Sequence, residues 1–208
     1  MNKNKLAVLV ILFFAITLFG IATDGFRAFT SETARSLALV KEKPKIPDLI
    51  LQDSKSRSYS FSNLTKGKYT FLTFMYTNCG TVCPQLEMNM EDVYNNIPTK
   101  YFEKDLVFLS ISFDPSRDNS EVLETYSSYF DSDGEKWRMA TVPNKKELEH
   151  LLQTLGVVVI PDGYGNFQHN SAFYLVGPDG HLIDIMDYTN TTAATNTVLN
   201  YLTLEGGD

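Results

Sequence analysis

The chain has 208 residues, of which 43% are hydrophobic, 12% aromatic and 21% charged, a composition typical of a globular protein and not of a disordered or collagen-like one. The chain has 18 Lys and Arg residues and 25 Asp and Glu residues, which gives a net charge of −7. Proteins that bind nucleic acids usually carry an excess of basic residues, so we expect no nucleic-acid partner. Two cysteines exclude a scaffold of several disulfides and a zinc site made of four thiolates.

The N-terminus predicts a membrane anchor or a signal peptide. Two lysines precede residues 6–22, an uncharged run of 17 residues at the short end of what spans a bilayer as a helix. Small residues at Gly20 and Ala22 also suit signal cleavage after Ala22, but the run is longer than the apolar part of most signal peptides, which favours the anchor. With residues 1–23 as anchor, the lysines place the folded part on the extracytoplasmic side of a bacterial cytoplasmic membrane.

The rest of the chain is interpreted as a tether and one folded domain. Residues 24–44 show no clean periodicity and are taken as the tether, which leaves residues 45–208 as the domain. Within it, apolar and aromatic runs at residues 69–76 and 106–113 are typical of central strands that are covered on both faces. Shorter strands are expected at residues 46–52, 59–61 and 137–141.

Helical periodicity alternates with these strands. Asn144 followed by Glu147 is an N-cap signal. Near the C-terminus, two strands flank a Gly-Pro-Asp-Gly turn and predict a hairpin. The alternation predicts an α/β fold, a mixed sheet with helices on both faces that ends in a hairpin and a helix. The helices are expected at residues 81–96, 120–130, 144–155 and 190–202, and the hairpin strands at 171–176 and 182–186.

Both cysteines lie where a predicted buried strand is followed by a helix, in the sequence TNCGTVCP. Cys79 and Cys83 are four residues apart, so their sulfurs can lie on one side of a helix, and a helix N-terminus favours the thiolate form. Thiolates can form a disulfide, exchange disulfides or bind a metal ion. An inert disulfide across so short a loop would stabilise the fold little, and thioredoxin-type oxidoreductases use a spacing one residue shorter.

A metal site built on two thiolates needs a third ligand, which a histidine can supply. His150 lies among charged residues of a predicted helix and His181 lies beside a turn, so both are expected to be exposed. His169 ends a loop rich in Gly and Asn just before a strand, and loops of this kind carry function. His169 is 86 positions from Cys83, and only the fold can bring them together.

Three strings, TFMYTNCGTVCP, SISFDPSRDN and HNSAFYLVGPDGHLID, resemble in their order and separation the Sco/SenC family of membrane-tethered copper proteins. The resemblance implies a thioredoxin-like fold and copper, as Cu(I) or Cu(II), bound by Cys79, Cys83 and His169. It also implies delivery of copper to the binuclear centre of cytochrome c oxidase, with the copper-bearing oxidase subunit as partner and other copper chaperones or thiol reductants as further partners. Asp114, which matches the family's Asp-Pro pair, is expected near the site but not as a ligand.

The chain departs from the family pattern at two places and leaves alternatives open. Gly80-Thr81 stands where the family often has Pro-Asp, and Asn170 replaces the hydroxyl residue that usually follows the histidine. Soft thiolates favour Cu(I), whereas zinc would need a fourth ligand. The alternative to a copper-delivering assembly factor is a thiol–disulfide oxidoreductase. In it, Cys79 attacks a partner's disulfide and Cys83 resolves the mixed disulfide. A peroxidase is less well supported, because no threonine stands three residues before either cysteine.

Overall fold

The computed structural model describes residues 3–23 and 30–205, and contacts within the chain divide it into two units, residues 1–42 and 43–208. The first unit contains helices α1 (Lys3–Ala22) and α2 (Ser31–Glu42). Lys5–Ala22 has a mean hydropathy of 2.5, so α1 is long and apolar enough to cross a membrane, although a signal sequence would have the same character.

Helix α2 occupies part of the stretch that was expected to be an irregular tether. It begins after Thr30, whose hydroxyl accepts a hydrogen bond of 3.0 Å from the Thr33 backbone N–H, which is an N-cap contact. Its first turn also carries an ion pair between Glu32 and Arg35. No residue of α2 is buried, so no core-facing apolar stripe marks it in the sequence, and the helix was therefore not predicted.

The second unit is built on a mixed sheet of seven strands. Its central strands β3, β4 and β5 run parallel, whereas the outer pairs are antiparallel. The spatial order is β2-β1-β5-β4-β3-β8-β9, and β6 and β7 form a separate hairpin. The bounds are β1 (Ile50–Asp53), β2 (Ser58–Ser60), β3 (Tyr69–Met75), β4 (Leu106–Ser112), β5 (Trp137–Thr141), β6 (Val159–Pro161), β7 (Phe167–His169), β8 (Phe173–Val176) and β9 (Leu182–Met186).

Helices connect and cover these strands, which confirms the predicted α/β fold. Every residue of β3 and β4 is buried, as expected of central strands that are covered on both faces. Phe71 of β3 anchors the core, with its ring centroid 4.8 Å from that of Phe108 and 4.9 Å from that of Phe173. The helices are α3 (Phe61–Thr65), α4 (Val82–Asn96), α5 (Ser120–Ser127), α6 (Lys145–Thr154) and α7 (Thr191–Glu205), with a 3₁₀ turn at Thr99–Phe102.

The parallel register of β3 and β4 creates the edge on which the site is built. Met75, the last residue of β3, pairs with Ser112, the last residue of β4. The segments that follow the two strands, residues 76–83 and 113–118, therefore start side by side. Ligands and catalytic groups commonly collect at the carboxyl ends of parallel strands.

The predicted first strand is shorter than expected because of a proline. Residues 46–52 were expected to be extended and paired, but β1 begins only at Ile50. Pro47 has no backbone N–H to donate to a neighbouring strand.

The N-cap of α6 gives a first test of the fold. Asn144 Oδ1 accepts hydrogen bonds from the backbone N–H groups of Lys146, at 3.0 Å, and Glu147, at 3.4 Å. We expect Asn144→Ala to lower the free energy of unfolding by about 1 kcal/mol in a urea titration, because two N–H groups lose their acceptor. Lys145→Ala, which removes an exposed side chain from the same turn, should leave that free energy almost unchanged, and equal losses in both variants would contradict the capping role.

Candidate metal centre

The two cysteines have different surroundings although they are only four residues apart. Helix α4 begins at Val82, so Cys83 lies in its first turn and is fully buried, whereas Cys79 lies in the preceding loop and is half-buried. Both are free thiols. Cys79 Sγ accepts a hydrogen bond of 3.3 Å from the backbone N–H of Cys83, so the Cys79 sulfur faces the start of the helix.

This arrangement makes the two thiols unequal acids. Burial opposes ionisation of Cys79, but backbone N–H groups of Cys83 and Thr81 donate to its sulfur and hold the pKa of the thiol below its ordinary value. Burial raises the pKa of Cys83 far above its ordinary value, and the neighbouring Cys79 and Glu87 charges add to this effect. The helix N-terminus therefore favours thiolate at Cys79, whereas burial favours the protonated form of Cys83.

The fold brings His169 to the cysteines across the 86 intervening positions. His169 Nε2 lies 3.5 Å from Cys83 Sγ. Its Nδ1 lies 3.2 Å from the backbone carbonyl of Asn170, a contact in which Nδ1–H donates and Nε2 carries the lone pair that faces the sulfur. Burial lowers the pKa of the imidazole, which favours its neutral, metal-binding form.

Aromatic side chains hold the hairpin that carries His169. The hydroxyl of Tyr76 accepts a hydrogen bond of 3.2 Å from the Phe167 backbone N–H. The ring centroids of Phe113 and His169 are 4.9 Å apart, and Phe113 also packs edge-on against Phe167. Tyr76 follows β3 and Phe113 follows β4, so the carboxyl edge of the sheet supports the β6–β7 hairpin, an element that the sequence did not indicate.

Asn170, which follows His169, binds the backbone with its side-chain amide. Its Oδ1 accepts a hydrogen bond of 2.7 Å from the Val158 backbone N–H, and its Nδ2 donates to the Gly156 carbonyl at 3.3 Å. These contacts tie the hairpin to the end of α6. A hydroxyl is still present beside the imidazole, because Ser171 Oγ lies 3.5 Å from His169 Nδ1.

Asp114 lies near the site but its carboxylate is engaged elsewhere. It is buried and pairs with Arg117, three residues on. Asp118, which was not singled out in the sequence, is fully buried and accepts hydrogen bonds from Thr77 and from Ser112. The signal that would have found it is a second acidic residue in Asp-Pro-Ser-Arg-Asp, directly after a buried strand.

Glu87 is a second buried carboxyl group that the sequence did not indicate. It lies one helical turn beyond Cys83 and is fully buried. Its Oε2 accepts a hydrogen bond of 2.8 Å from Ser110, whereas no partner is found for Oε1 within residues 3–23 and 30–205. Burial raises the pKa of Glu87 to about 8.

The remaining histidines and two methionines of α4 have surroundings that differ from those of His169. His150 is exposed on α6, and His181 pairs with Asp179 at 3.0 Å between Nδ1 and Oδ2. Met90 is buried whereas Met88 is exposed, as expected for residues two apart on a helix. Within the described part of the chain, no three His, Cys, Asp or Glu side chains form a finished metal site.

Sequence and fold both resemble known proteins. The model of the SCO1/SenC family matches residues 48–203. A Stutzerimonas stutzeri protein, named for an inferred ability to bind copper, is 32% identical over 84% of this chain and 83% of its own. The structure of BsSco, described as a member of the Sco family of cytochrome c oxidase assembly proteins, is 25% identical and has a TM-score of 0.61 over 74% of this chain and 92% of its own. Bradyrhizobium japonicum ScoI with copper bound is 23% identical, with a TM-score of 0.63 over 76% of this chain and 99% of its own, and this likeness confirms the predicted thioredoxin-like fold.

Proposed function

Because this chain belongs to the SCO1/SenC family, we propose that it binds one copper ion at Cys79, Cys83 and His169 and delivers it to the binuclear copper centre of cytochrome c oxidase. The observation that carries the proposal is the separation of 3.5 Å between His169 Nε2 and Cys83 Sγ. These two atoms come from distant parts of the sequence, and nothing in a purely redox dithiol requires an imidazole lone pair at this position.

The donor set fits copper. Two sulfurs and one imidazole nitrogen suit Cu(I), which accepts three ligands, and the imidazole also allows Cu(II) to bind. Cys79 lies in the loop before α4 and would join Cys83 and His169 as the third ligand. The exposed residues Asn78 and Gly80 flank it, and a Cβ added at Gly80 would meet nothing within 4 Å, so the loop has room to move.

We also propose how the chain is placed at the membrane. Residues 1–23 would anchor the chain with its N-terminus inside, residues 24–44 would act as the tether, and residues 45–208 would present the copper site on the extracytoplasmic side. The apolar character of α1 supports an anchor. The copper-bearing subunit of the oxidase is the acceptor, and it would approach at Cys79, the more accessible of the two thiols.

Copper transfer to the acceptor tests this function. The reduced full chain, in detergent, should take up one copper per molecule. On mixing two chains with each metal-free copper-bearing oxidase subunit, the chains should lose their copper to the subunit, as measured by the copper content of the two proteins after separation. Retention of copper by the chain in the presence of a competent, reduced acceptor would contradict delivery. A chain with both cysteines replaced by Ser is the control for adventitious copper.

A thiol–disulfide oxidoreductase remains the second candidate, because one observation favours it. Cys79 is accessible and has a lowered pKa, whereas Cys83 is buried and has a raised pKa, and this asymmetry is typical of an attacking and a resolving thiol. In that case the metal-free chain would reduce a disulfide on the oxidase subunit without transferring copper. His169→Ala would then leave the reductase activity unchanged.

A further inference from the structure

One short segment touches both halves of the candidate site. It comprises residues 114–118, which follow β4 and precede α5, and we call it the bridging segment. It is pinned at its start, where the Asp114 backbone N–H donates to Ser112 Oγ at 3.0 Å. It also closes on itself, because the backbone N–H of Asp118 donates to the Asp114 carbonyl at 2.9 Å.

The first contact of the bridging segment is with the loop that carries Cys79. The carboxylate of Asp118 accepts hydrogen bonds from Thr77 N at 3.0 Å and from Thr77 Oγ1 at 2.6 Å. Ser112 Oγ is a third donor to it. Asp118 is fully buried, so these hydrogen bonds are shielded from water and fix the backbone two residues before Cys79.

Beyond Thr77 the loop has little other support. Asn78, Gly80 and Thr81 are exposed, and the chain becomes buried again only at Cys83. The Cys79 backbone N–H does donate to the Tyr76 carbonyl, but at 3.4 Å, which is long for such a bond. Thr77 is therefore the last firmly held position before the Cys79 sulfur.

The second contact is with the hairpin that carries His169. Asp114 pairs with Arg117 and holds its guanidinium group. The guanidinium carbon lies 5.5 Å from the centroid of the Phe167 ring, a cation–π arrangement. Phe167 is two residues before His169 and pairs across the hairpin with Pro161.

We propose that the bridging segment positions the Cys79 sulfur and the His169 imidazole relative to each other, Asp118 acting through Thr77 and Arg117 acting through Phe167. Both are positioning residues and neither is a ligand. Asp114, which was expected near the site, contributes by orienting Arg117. In its consequence for copper, this inference rests on the proposed function.

Each of the two contacts is expected to affect the binding of a different oxidation state of copper. Asp118→Asn replaces one carboxylate oxygen by an NH₂ group that cannot accept a hydrogen bond, so the Cys79 loop loses part of its anchor. We expect Cu(I) binding to weaken by about 10- to 100-fold, the usual effect of removing a group that orients a ligand. Arg117→Gln should instead weaken Cu(II) binding by about 10-fold, since the hairpin supplies the ligand on which Cu(II) depends.

A conservative pair at Thr77 separates positioning from stability. Thr77→Val keeps the shape and the backbone N–H but loses the hydroxyl donor, and it should weaken Cu(I) binding, whereas Thr77→Ser keeps both donors and should bind as the wild type. Asn144→Ala is the matched control, because it lowers stability at a site far along the chain. If Asn144→Ala and Asp118→Asn weaken copper binding equally, or if Thr77→Val binds like the wild type, the positioning role is wrong.

A metal-free readout keeps this inference separate from copper delivery. Amide hydrogen exchange at residues 78–81 should become faster in Asp118→Asn and in Thr77→Val, while exchange within β3 stays unchanged. Unchanged exchange at residues 78–81 would overturn the anchoring role even if copper is delivered. Conversely, the wild-type chain could bind no copper while both variants show the faster exchange. That result would contradict the proposed function and leave the anchoring role of Asp118 in place.

Discussion

Replacing His169 by Ala is expected to weaken Cu(II) binding by more than about 100-fold, which exceeds the usual effect of losing a group that only orients a ligand. The imidazole is the one neutral nitrogen donor proposed for the site, and its Nε2 lies 3.5 Å from Cys83 Sγ. Cu(I) prefers sulfur and should lose less affinity, because Cys79 and Cys83 remain. Competition titrations of the reduced chain with Cu(I) and Cu(II) chelators measure both effects.

His150 provides the matched control for this substitution. It is exposed on α6, and His150→Ala should bind both oxidation states as the wild type does. If the two variants have the same Cu(II) affinity, His169 is not a ligand, and the redox dithiol becomes the better interpretation of the cysteine pair.

Replacing Glu87 by Gln is expected to raise the free energy of unfolding at pH 7 by about 3 kcal/mol, from a shift of pKa between about 8 in the fold and 4.5 in the unfolded chain. Glu87 is fully buried, and among the described residues its two oxygens have one hydrogen-bond partner, Ser110. Burial disfavours the carboxylate, so the folded chain holds a proton that the unfolded chain releases. Gln has nearly the same shape and carries no proton to lose.

The sign of this effect depends on pH. Because the pKa of Glu87 is higher in the folded chain, the wild type loses stability as the pH rises from about 4.5 to about 8, whereas the Gln variant does not. Urea denaturation at pH 4 and at pH 7 measures the difference, which should be close to zero at pH 4. Glu103→Gln, at an exposed glutamate, should show no such gain, and a gain in Glu87→Gln that is equal at both pH values would show that the charge is not its cause.

The central strands and the three candidate ligands could be predicted from the sequence. Residues 69–75 and 106–112 are continuous apolar runs, which strands buried on both faces require. Cys79 and Cys83 are the only cysteines, and His169 was the histidine placed in a loop. The ligand set itself came from the resemblance of three strings to a family, since spacing alone cannot unite residues 86 positions apart.

The residues around the ligands could not be found in the same way. Glu87 lies on the buried stripe of α4 with Cys83 and Met90, but a glutamate is a residue type that normally faces water, and its hydrogen bond to Ser110 is visible only in the fold. Asp118 acts through Thr77, 41 positions earlier, and no local pattern encodes that contact. The β6–β7 hairpin has three residues in each strand, too few for alternation to mark it in the sequence.

X-ray absorption at the copper edge tests the three-ligand site most directly. The reduced full chain, loaded with one equivalent of Cu(I), should show two sulfur neighbours and one nitrogen neighbour around the metal, and one sulfur neighbour should disappear in Cys79→Ser. Copper surrounded only by nitrogen and oxygen, or bound by two sulfurs with no change in His169→Ala, would contradict a site made of Cys79, Cys83 and His169.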